Sequence, residues 1–356
     1  MPDETPNQSD QPQQPAPPAP PAPPAQIVQA APQKKGGWLA RGVAMVLLLV
    51  LSVSVMVNVY YAGFISMMTS GPYEEVYAEG PDDFRVAVLP IEGLIDGETY
   101  EFTRQSLKRL GEDPPAALVL RIDSGGGYVA PSDRIWHEVK RFREDNPGIP
   151  VIASFGGMAA SGGYYVAMPA DAIVAEPSGV TGSIGVIAQS FTFQDLLGKV
   201  GVTPETIVST DSTRKDTLNP MRAWTEEDRQ KLRKILDGSY ARFVDVVVEG
   251  RKGVLDVEQV RALATGEAFT VEEAHESGLV DEIGYLDDAV ALAVEKIGPD
   301  AADREPKVTM MTEMKGFGLG GLLRSRIPAG ASLDAERIRG WAADASSPRL
   351  MYHWAP

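Results

Sequence analysis

Short apolar runs alternate with segments of helical periodicity between Phe84 and about residue 298. The apolar runs have the length and flanking turn residues of buried strands, whereas the segments between them place apolar residues three and four positions apart, as amphipathic helices do. The pattern predicts strands at 85–89, 117–122, 150–155 and 172–175, and helices at 132–144, 225–251 and 287–296. Such alternation indicates an α/β domain built in layers, which we place at 84–298.

A much longer apolar stretch precedes this domain. Residues 42–57 carry no charge, and with their flanks they form a segment, 38–68, that exceeds the roughly 20 residues a helix needs to span a bilayer. Lys34, Lys35 and Arg41 lie before it and several acids lie after it, so the charge bias predicts a cytoplasmic N-terminus and an extracytoplasmic domain. A cleaved signal peptide is the alternative. The long preceding tail and the lack of an A-x-A site favour a retained, single-pass anchor in the cell membrane.

The two ends of the chain have their own compositions. Residues 1–37 are rich in Pro, Gln and Ala, so they cannot bury a core, and we expect a disordered cytoplasmic tail. Docking on a proline-recognising module is the alternative for this tail. Residues 299–356 form a C-terminal extension that ends in the apolar sequence MYHWAP at 351–356. We expect this end either to pack on a neighbouring subunit or to occupy a peptide cleft as a product mimic.

Charge and composition exclude several classes of function. The formal net charge of −16 argues against a nucleic-acid partner, because phosphate binding draws its energy from clustered Lys and Arg. The chain has no cysteine, which removes disulfides, thiolate metal sites and cysteine nucleophiles. It has only three histidines, His137, His275 and His353, so any histidine-dependent mechanism must use one of them.

Three segments rich in glycine and serine follow predicted strands. They are 122–129 (IDSGGGYV), 155–165 (FGGMAASGGYY) and 180–187 (VTGSIGVI). Consecutive glycines can adopt positive φ and aim backbone N–H groups into a cleft, and small neighbours leave a serine such as Ser161 accessible. Taken singly, each segment also fits a plain turn or close packing of small residues, and the first would also fit a phosphate cradle.

Taken together, the order and spacing of these segments resemble the signal peptide peptidase A family, family S49. The resemblance covers about residues 84–296 and is carried by MAASGGYY at 158–165 and TGSIGVI at 181–187, supported by ATGEAFT at 264–270 and EAHESGLVD at 273–281. It implies a Clp protease/crotonase-like core of stacked βα units, preceded here by the tail and one transmembrane helix. It also implies a serine peptidase that needs no metal or other cofactor.

The resemblance assigns roles to particular residues. By motif, Ser161 is the nucleophile, and Gly126 is a backbone donor to the oxyanion, with Gly127 or Gly162 as a second donor. Ser183 matches the serine that orients the amine of the general base.

The base itself corresponds to Lys215, in the segment DSTRKD at 211–216. The segment departs from the family pattern at Ser212 and Arg214, and Asp123 departs in the first glycine segment. A cation at Arg214 would help to keep the lysine amine neutral if both side chains pointed inward.

Other candidates for the base are weaker. Lys199 ends a predicted short helix, where a cation is favoured for structural reasons. No histidine lies between His137 and His275, which disfavours a Clp-like triad with a histidine soon after the serine. Asp287 and Asp288 fit a helix N-terminus better than a metal site, because no further ligands are spaced with them.

The resemblance therefore predicts acyl transfer to Ser161 on apolar peptides, including cleaved signal peptides. It further implies that subunits of one kind form a ring of about eight around a shared cavity at the membrane. Two alternatives stay open. One is a catalytically silent membrane scaffold of the same fold, suggested by the departures at Asp123, Ser212 and Arg214. The other is a crotonase-like acyl-CoA enzyme, which would share the fold and the oxyanion glycines.

Overall fold

The computed structural model describes residues 37–69, 71–302, 304–313 and 349–353. The predicted tail, except for Gly37, and most of the C-terminal extension lie outside the described residues. The first helix, α1 (Gly37–Thr69), contains a stretch at Arg41–Tyr61 with a mean hydropathy of 2.5, long and apolar enough to cross a membrane. Its side chains from 41 to 60 are exposed.

The domain after α1 is organised around a mixed sheet. Its main path contains the strands β1 (Pro72–Ala78), β2 (Arg85–Glu92), β3 (Ala117–Ser124), β5 (Val151–Ala160), β6 (Ala172–Ala175), β10 (Glu282–Ile283) and β11 (Lys307–Glu313). The order is β1-β11-β2-β3-β5-β6-β10, and all neighbours are parallel except β1 and β11. Two short strands, β7 (Val180–Gly182) and β9 (Ala268–Thr270), extend the sheet at the carboxyl end of β5. There β7 pairs parallel with β5, and β9 pairs antiparallel with β7.

Eight helices follow α1 in the described residues. They are α2 (Gly97–Glu112), α3 (Val129–Asp145), α4 (Gly162–Ala167), α5 (Gln194–Lys199), α6 (Glu226–Gly250), α7 (Val257–Leu263), α8 (Val271–Glu276) and α9 (Leu286–Ile297). Their ends follow local sequence rules. Asp96 caps α2, and Thr225 with Asp228 forms a capping box at α6, so side chains satisfy the first backbone donors of each helix.

The sheet is buried on both faces, as the strand pattern predicts. Along β2, Ala87 and Leu89 face a large core shared with α3, α4 and α6, whereas Val86 and Val88 face a second cluster that α9 covers. Adjacent residues of a strand point to opposite faces, so a continuous apolar run indicates two covered faces. The predicted α/β layering is therefore confirmed.

The sheet extends past the predicted bounds of 84–298. The antiparallel pair β1–β11 lies outside those bounds on both sides and adds two strands beside β2. Pairing between residues separated by more than 200 positions leaves no local periodicity that could predict it.

A second, three-stranded sheet lies beside the main one. Its members are β4 (Gly126–Tyr128), β8 (Ile187–Gln189) and β12 (Arg349–His353), in the order β4-β12-β8. This small sheet brings two of the glycine-rich segments to opposite sides of the C-terminal strand.

Candidate active site

Ser161 stands at the sharp turn between β5 and α4. Its backbone has φ 55° and ψ −113°, and only two other non-glycine residues in the described part of the chain, Ser183 and Leu218, have positive φ. The turn is fixed on both sides: the Ser161 N–H donates to the Gly182 carbonyl at 2.7 Å, and the Tyr165 N–H donates to the Ser161 carbonyl at 2.9 Å. A costly conformation persists only where neighbours enforce it, which is common at reactive residues.

Ser161 is 1% exposed, and its hydroxyl makes no hydrogen bond with any residue that the structure describes. Its neighbours are small because other backbone segments approach closely. A Cβ on Gly162 would lie 2.7 Å from Ser132 Oγ and 3.1 Å from the amide nitrogen of Gly127. A Cβ on Gly163 would lie 2.6 Å from the Ser124 carbonyl. The first two residues of α4 therefore pack closely on the backbone of residues 124–127.

This packing brings the segments that carry the predicted oxyanion donors together, and the N–H groups differ in whether they already have a hydrogen-bond partner. The Gly126 N–H already donates to Ser124 Oγ at 3.0 Å. Gly162 is the first residue of α4, so its N–H has no partner within the helix. Gly127 lies against Gly162. Gly162 thus follows the nucleophile directly and Gly127 contacts Gly162, whereas the Gly126 N–H is engaged by a side chain.

Ser183 lies beside the same turn. It follows β7, whose Gly182 pairs with Ala160 immediately before the nucleophile. Its φ is 50°, its N–H donates to the Glu267 carbonyl at 2.7 Å, and its hydroxyl donates to the Gly266 carbonyl at 3.3 Å. The segment 264–270, part of the family resemblance, therefore holds both the backbone and the hydroxyl of Ser183 in place by hydrogen bonds.

A cavity of about 760 Å³ opens next to Ser183. Among the residues that line it are Ser183, Ile187, Tyr240, Gly266 and Phe269. Its walls mix apolar side chains with backbone polar groups, as peptide and small-molecule sites commonly do.

Lys215 is not among the residues that line the cavity beside Ser183. It occupies an exposed turn between α5 and α6, and among the described residues no hydrogen bond joins its amine to Ser161 or to Ser183. Its neighbour Arg214 is also exposed and pairs with Glu227 on α6, so it does not point inward. Lys199, as predicted, is the exposed last residue of the short helix α5.

An ion cluster ties the Lys215 turn to the start of α6. Arg222 Nε donates to Asp216 Oδ2 at 2.8 Å, and Arg222 Nη1 donates to Asp228 Oδ2 at 2.6 Å. Asp228 also accepts from the Thr225 N–H in the capping box. The hydrogen bond from Arg222, with the further bonds from Thr225, holds the pKa of the Asp228 carboxyl far below its usual range despite burial. The residue after Lys215 is therefore anchored, whereas the lysine itself is exposed.

Two tyrosines behind the nucleophile fix α4, and sequence reasoning gave them no role. The buried Tyr164 hydroxyl donates to the Leu279 carbonyl at 2.8 Å, and burial raises the pKa of this phenol. The Tyr165 hydroxyl donates to Asp133 Oδ1 on α3 at 2.6 Å. The two adjacent tyrosines in the serine segment were the only signal in the sequence. Their hydrogen-bond partners, Leu279 and Asp133, lie far away in sequence and could not be predicted from it.

The histidines and the acidic pair have structural positions. His137 is exposed on α3, and the His275 ring on α8 lies 3.4 Å from the Val280 carbonyl. Asp288 accepts from the Tyr285 N–H at 2.7 Å and so caps α9, as a helix N-terminus predicts. The backbone of His353 pairs with Gly126, within the small sheet.

Comparison with known proteins gives a consistent result. The profile of Peptidase family S49 matches residues 143–298. A Synechocystis sp. protein named "Putative protease slr0021" is 39% identical over 61% of this chain and 76% of its own length. An Enterococcus faecium protein named "Putative signal peptide peptidase SppA" is 34% identical over 67% of this chain and 69% of its own length.

Among solved structures, ClpP1 from Listeria monocytogenes is similar with a TM-score of 0.40 and 18% identity, over 57% of this chain and 94% of its own. The sequence relatives are close enough, over enough of their length, to fix the family. The chain belongs to peptidase family S49 and is a serine peptidase of the signal peptide peptidase type.

Proposed function

We propose that this chain is a membrane-anchored serine endopeptidase that hydrolyses apolar peptides, with Ser161 as nucleophile and Lys215 as general base. The observation that carries the proposal is the turn at Ser161. A serine with positive φ, fixed by two backbone hydrogen bonds, directly precedes Gly162, which packs on the glycines of β4. Packing alone does not require a serine at such a costly position.

In the proposed reaction, the neutral amine of Lys215 removes the proton from the Ser161 hydroxyl while the oxygen attacks the carbonyl carbon of the scissile peptide bond. The negative charge that develops on the carbonyl oxygen is stabilised by the N–H groups of Gly127 and Gly162. The C–N bond then breaks, and the leaving amine takes the proton from the lysine. A water molecule, deprotonated by the same amine, hydrolyses the acyl-enzyme and restores the serine.

Lys215 must lose its hydration to act in this way, since a lysine in water is almost wholly protonated at neutral pH. In the single chain it is exposed. The segment around it, residues 187–221, also exposes several large apolar side chains, namely Ile187, Phe191, Leu196, Val200, Val202, Ile207 and Met221. A neighbouring subunit that covers this segment would bury the apolar side chains and remove water from the lysine. The proposed ring is therefore part of the mechanism.

The anchor supports the choice of substrate. If α1 crosses the membrane with Lys34, Lys35 and Arg41 on the cytoplasmic side, the peptidase domain lies on the other side of the membrane. Apolar peptides that leave the bilayer, cleaved signal peptides among them, would be available there. The name of the Enterococcus faecium relative agrees with such a substrate. Protease added to intact spheroplasts should digest the domain, and its protection until lysis would contradict this topology.

One observation favours a catalytically silent scaffold as the second candidate: Lys215 is exposed, and among the residues that the structure describes no hydrogen bond joins its amine to the serine. Single-turnover acylation by a chromogenic apolar peptide separates the two candidates. The variants Ser161→Ala and Lys215→Ala should lose acylation to about the same extent, because two residues that act as a unit give losses that do not add.

Lys199→Ala and His137→Ala serve as matched controls and should keep most of the activity. An active Lys215→Ala enzyme would show that the base is elsewhere. A wild-type chain that is folded and assembled but never acylated would favour the scaffold.

A further inference from the structure

Three helices meet at one carboxylate oxygen beside the nucleophile turn. The Tyr165 hydroxyl on α4 donates to Asp133 Oδ1 on α3 at 2.6 Å. Arg242 on α6 donates to the same oxygen from Nε and from Nη2, both at 3.2 Å. Tyr165 is fully buried, whereas the side chains of Asp133 and Arg242 are each a little under half exposed. We refer to Asp133, Tyr165 and Arg242 as the tyrosine clamp.

Aromatic packing limits how the members of the clamp can move. The Tyr165 ring meets Trp136 of α3 edge-to-face, with centroids 6.4 Å apart, and Phe243 of α6 with centroids 5.0 Å apart. The Arg242 guanidinium lies 4.6 Å above the centroid of the same Trp136 ring. Edge-to-face rings and a cation over an indole are both attractive arrangements. The phenol and the guanidinium therefore reach Asp133 from directions that their neighbours fix.

The clamp lies close in sequence to both proposed oxyanion donors. Gly162 is the first residue of α4, and Tyr165 follows one turn later. Gly127 is on β4, which leads directly into α3, and Asp133 is in the second turn of α3. The Tyr165 N–H also donates to the Ser161 carbonyl at 2.9 Å. The bond between Tyr165 and Asp133 therefore joins the element that follows the nucleophile to the element that follows Gly127.

The two donors need such a restraint because they are glycines. A Cβ on Gly162 would lie 3.1 Å from the Gly127 nitrogen, so no side chain fits between the two segments to fix their spacing. An amide contributes to catalysis only when it points at the developing oxyanion, and a displacement of about 1 Å can lower a rate on the order of 100-fold. The spacing must therefore be maintained by side chains elsewhere on α3 and α4.

We propose that Asp133 and Arg242 are positioning residues for the oxyanion donors Gly127 and Gly162, and that they act through the Tyr165 hydroxyl. Asp133 holds the phenol, and Arg242 orients the carboxylate and balances its charge. The inference rests on the proposed function for the role of the two amides. Because the oxyanion exists only after the serine has attacked, loss of the clamp affects the chemical step and leaves substrate binding unchanged.

Two variants remove the bond from opposite sides. Tyr165→Phe keeps the ring and deletes one oxygen, and Asp133→Ala deletes the acceptor. Each should lower kcat for an apolar peptide about tenfold and leave KM within about twofold of wild type. The double variant should lose no more than either single variant, since all three lack the same hydrogen bond. Asp133→Asn retains an oxygen acceptor and should recover most of the kcat that Asp133→Ala loses.

A trileucine aldehyde separates positioning from a general loosening of the fold. The Ser161 oxygen adds to the aldehyde carbon, the C=O double bond becomes a single bond, and the resulting tetrahedral adduct places its oxygen at the oxyanion position. The inhibition constant of the aldehyde should rise by the same factor as kcat/KM falls across the variants, while the Kd of the corresponding peptide acid stays constant. An inhibition constant that does not change in Tyr165→Phe would contradict the proposal.

Lys140→Met is the matched control. Lys140 also lies on α3 and over the Trp136 ring, 5.0 Å from its centroid, and it pairs with Glu249 on α6. Its ion pair thus joins α3 to α6 as Arg242 does, but through Glu249 and not through Tyr165. Lys140→Met should keep the wild-type kcat. A loss equal to that of Asp133→Ala would contradict the proposal, because any loosening between α3 and α6 would then be sufficient.

The outcomes also separate this inference from the function on which it rests. Wild-type kcat in a folded Tyr165→Phe enzyme would overturn the role of the clamp and leave the peptidase mechanism intact. A folded wild-type chain that is never acylated would overturn both. If Asp133→Ala does not fold, as thermal unfolding would show, Tyr165→Phe decides the question, since it removes a single atom from a ring that stays packed.

Discussion

The unusual backbone of Ser161 shows how single residues determine the site. A non-glycine residue with positive φ costs on the order of 1–3 kcal/mol, and here two backbone hydrogen bonds and the packing of α4 maintain it. Gly162 and Gly163 make this packing possible, since a Cβ on either would meet β4 or the Ser124 carbonyl. The reactivity we propose for the serine therefore depends on the absence of side chains next to it.

At this scale we predict that Gly162→Ala reduces acylation on the order of 100-fold, because its methyl group would push the α4 amide away from the oxyanion. Gly157→Ala is the matched control. Gly157 lies on β5, the strand that ends immediately before Ser161, but a Cβ at this position would meet only Asp123 Oδ1, at 4.0 Å. Stopped-flow acylation measures both variants. An unchanged rate in Gly162→Ala would show that this amide does not contribute to the reaction.

The elements around the site explain how the turn that carries Lys215 is held. Arg222 joins Asp216, directly after the lysine, to Asp228 in the first turn of α6. The capping box at α6 thus positions a loop as well as a helix. We infer that this cluster sets the starting position from which Lys215 approaches the serine when a neighbouring subunit covers it.

We predict that Arg222→Ala destabilises the fold near neutral pH and lowers kcat more than it changes KM. The pKa of Asp228 is lower in the folded chain than in the unfolded chain, so its stabilising contribution is present above about pH 4 and is lost as the pH falls further. The difference in unfolding free energy between wild type and Arg222→Ala should therefore be constant from pH 7 to about 5 and should shrink below about 4.

Urea unfolding across this pH range measures the difference. Arg233→Ala provides the control because it removes an ion pair with Glu226 in which both side chains are more than 60% exposed. An exposed pair of this kind contributes little to stability. A pH-independent difference for Arg222→Ala would show that the cluster does not stabilise the fold through Asp228.

Elements that bury a long apolar run were predictable, and elements that pair over long distances were not. β2, β3, β6, α3, α6 and α9 all overlap the predicted segments, because their periodicity is a direct result of burial on one or two faces. β4, β8 and β12 have three to five residues each, too few for a period, and their pairing depends on positions 160 residues or more apart. The candidate residues around Ser161 were predicted to be close together, whereas the exposure of Lys215 was not, because exposure depends on what covers a loop.

On the scale of the whole molecule, the exposed apolar side chains of residues 187–221 predict assembly. Ile207 is 91% exposed, and burial of such a side chain contributes roughly 1.5–3 kcal/mol. We predict that Ile207→Asp shifts the detergent-solubilised full chain from the proposed ring to smaller species and reduces activity together with assembly.

Light scattering after size-exclusion chromatography measures this shift. Val254→Asp is the control, since Val254 is also exposed but lies outside the segment. A dissociated Ile207→Asp chain with full activity would show that assembly does not remove water from Lys215. An unchanged assembly would place the subunit contact elsewhere on the domain.

The measurement that tests the central claim most directly is covalent labelling of the full chain in membranes with a fluorophosphonate, followed by mass spectrometry of its peptides. We predict one adduct, on Ser161, formed in parallel with the loss of peptide hydrolysis and absent from Ser161→Ala and from denatured protein. An adduct on another serine, or hydrolysis of apolar peptides by purified Ser161→Ala at the wild-type rate, would contradict the assignment of Ser161 as the nucleophile.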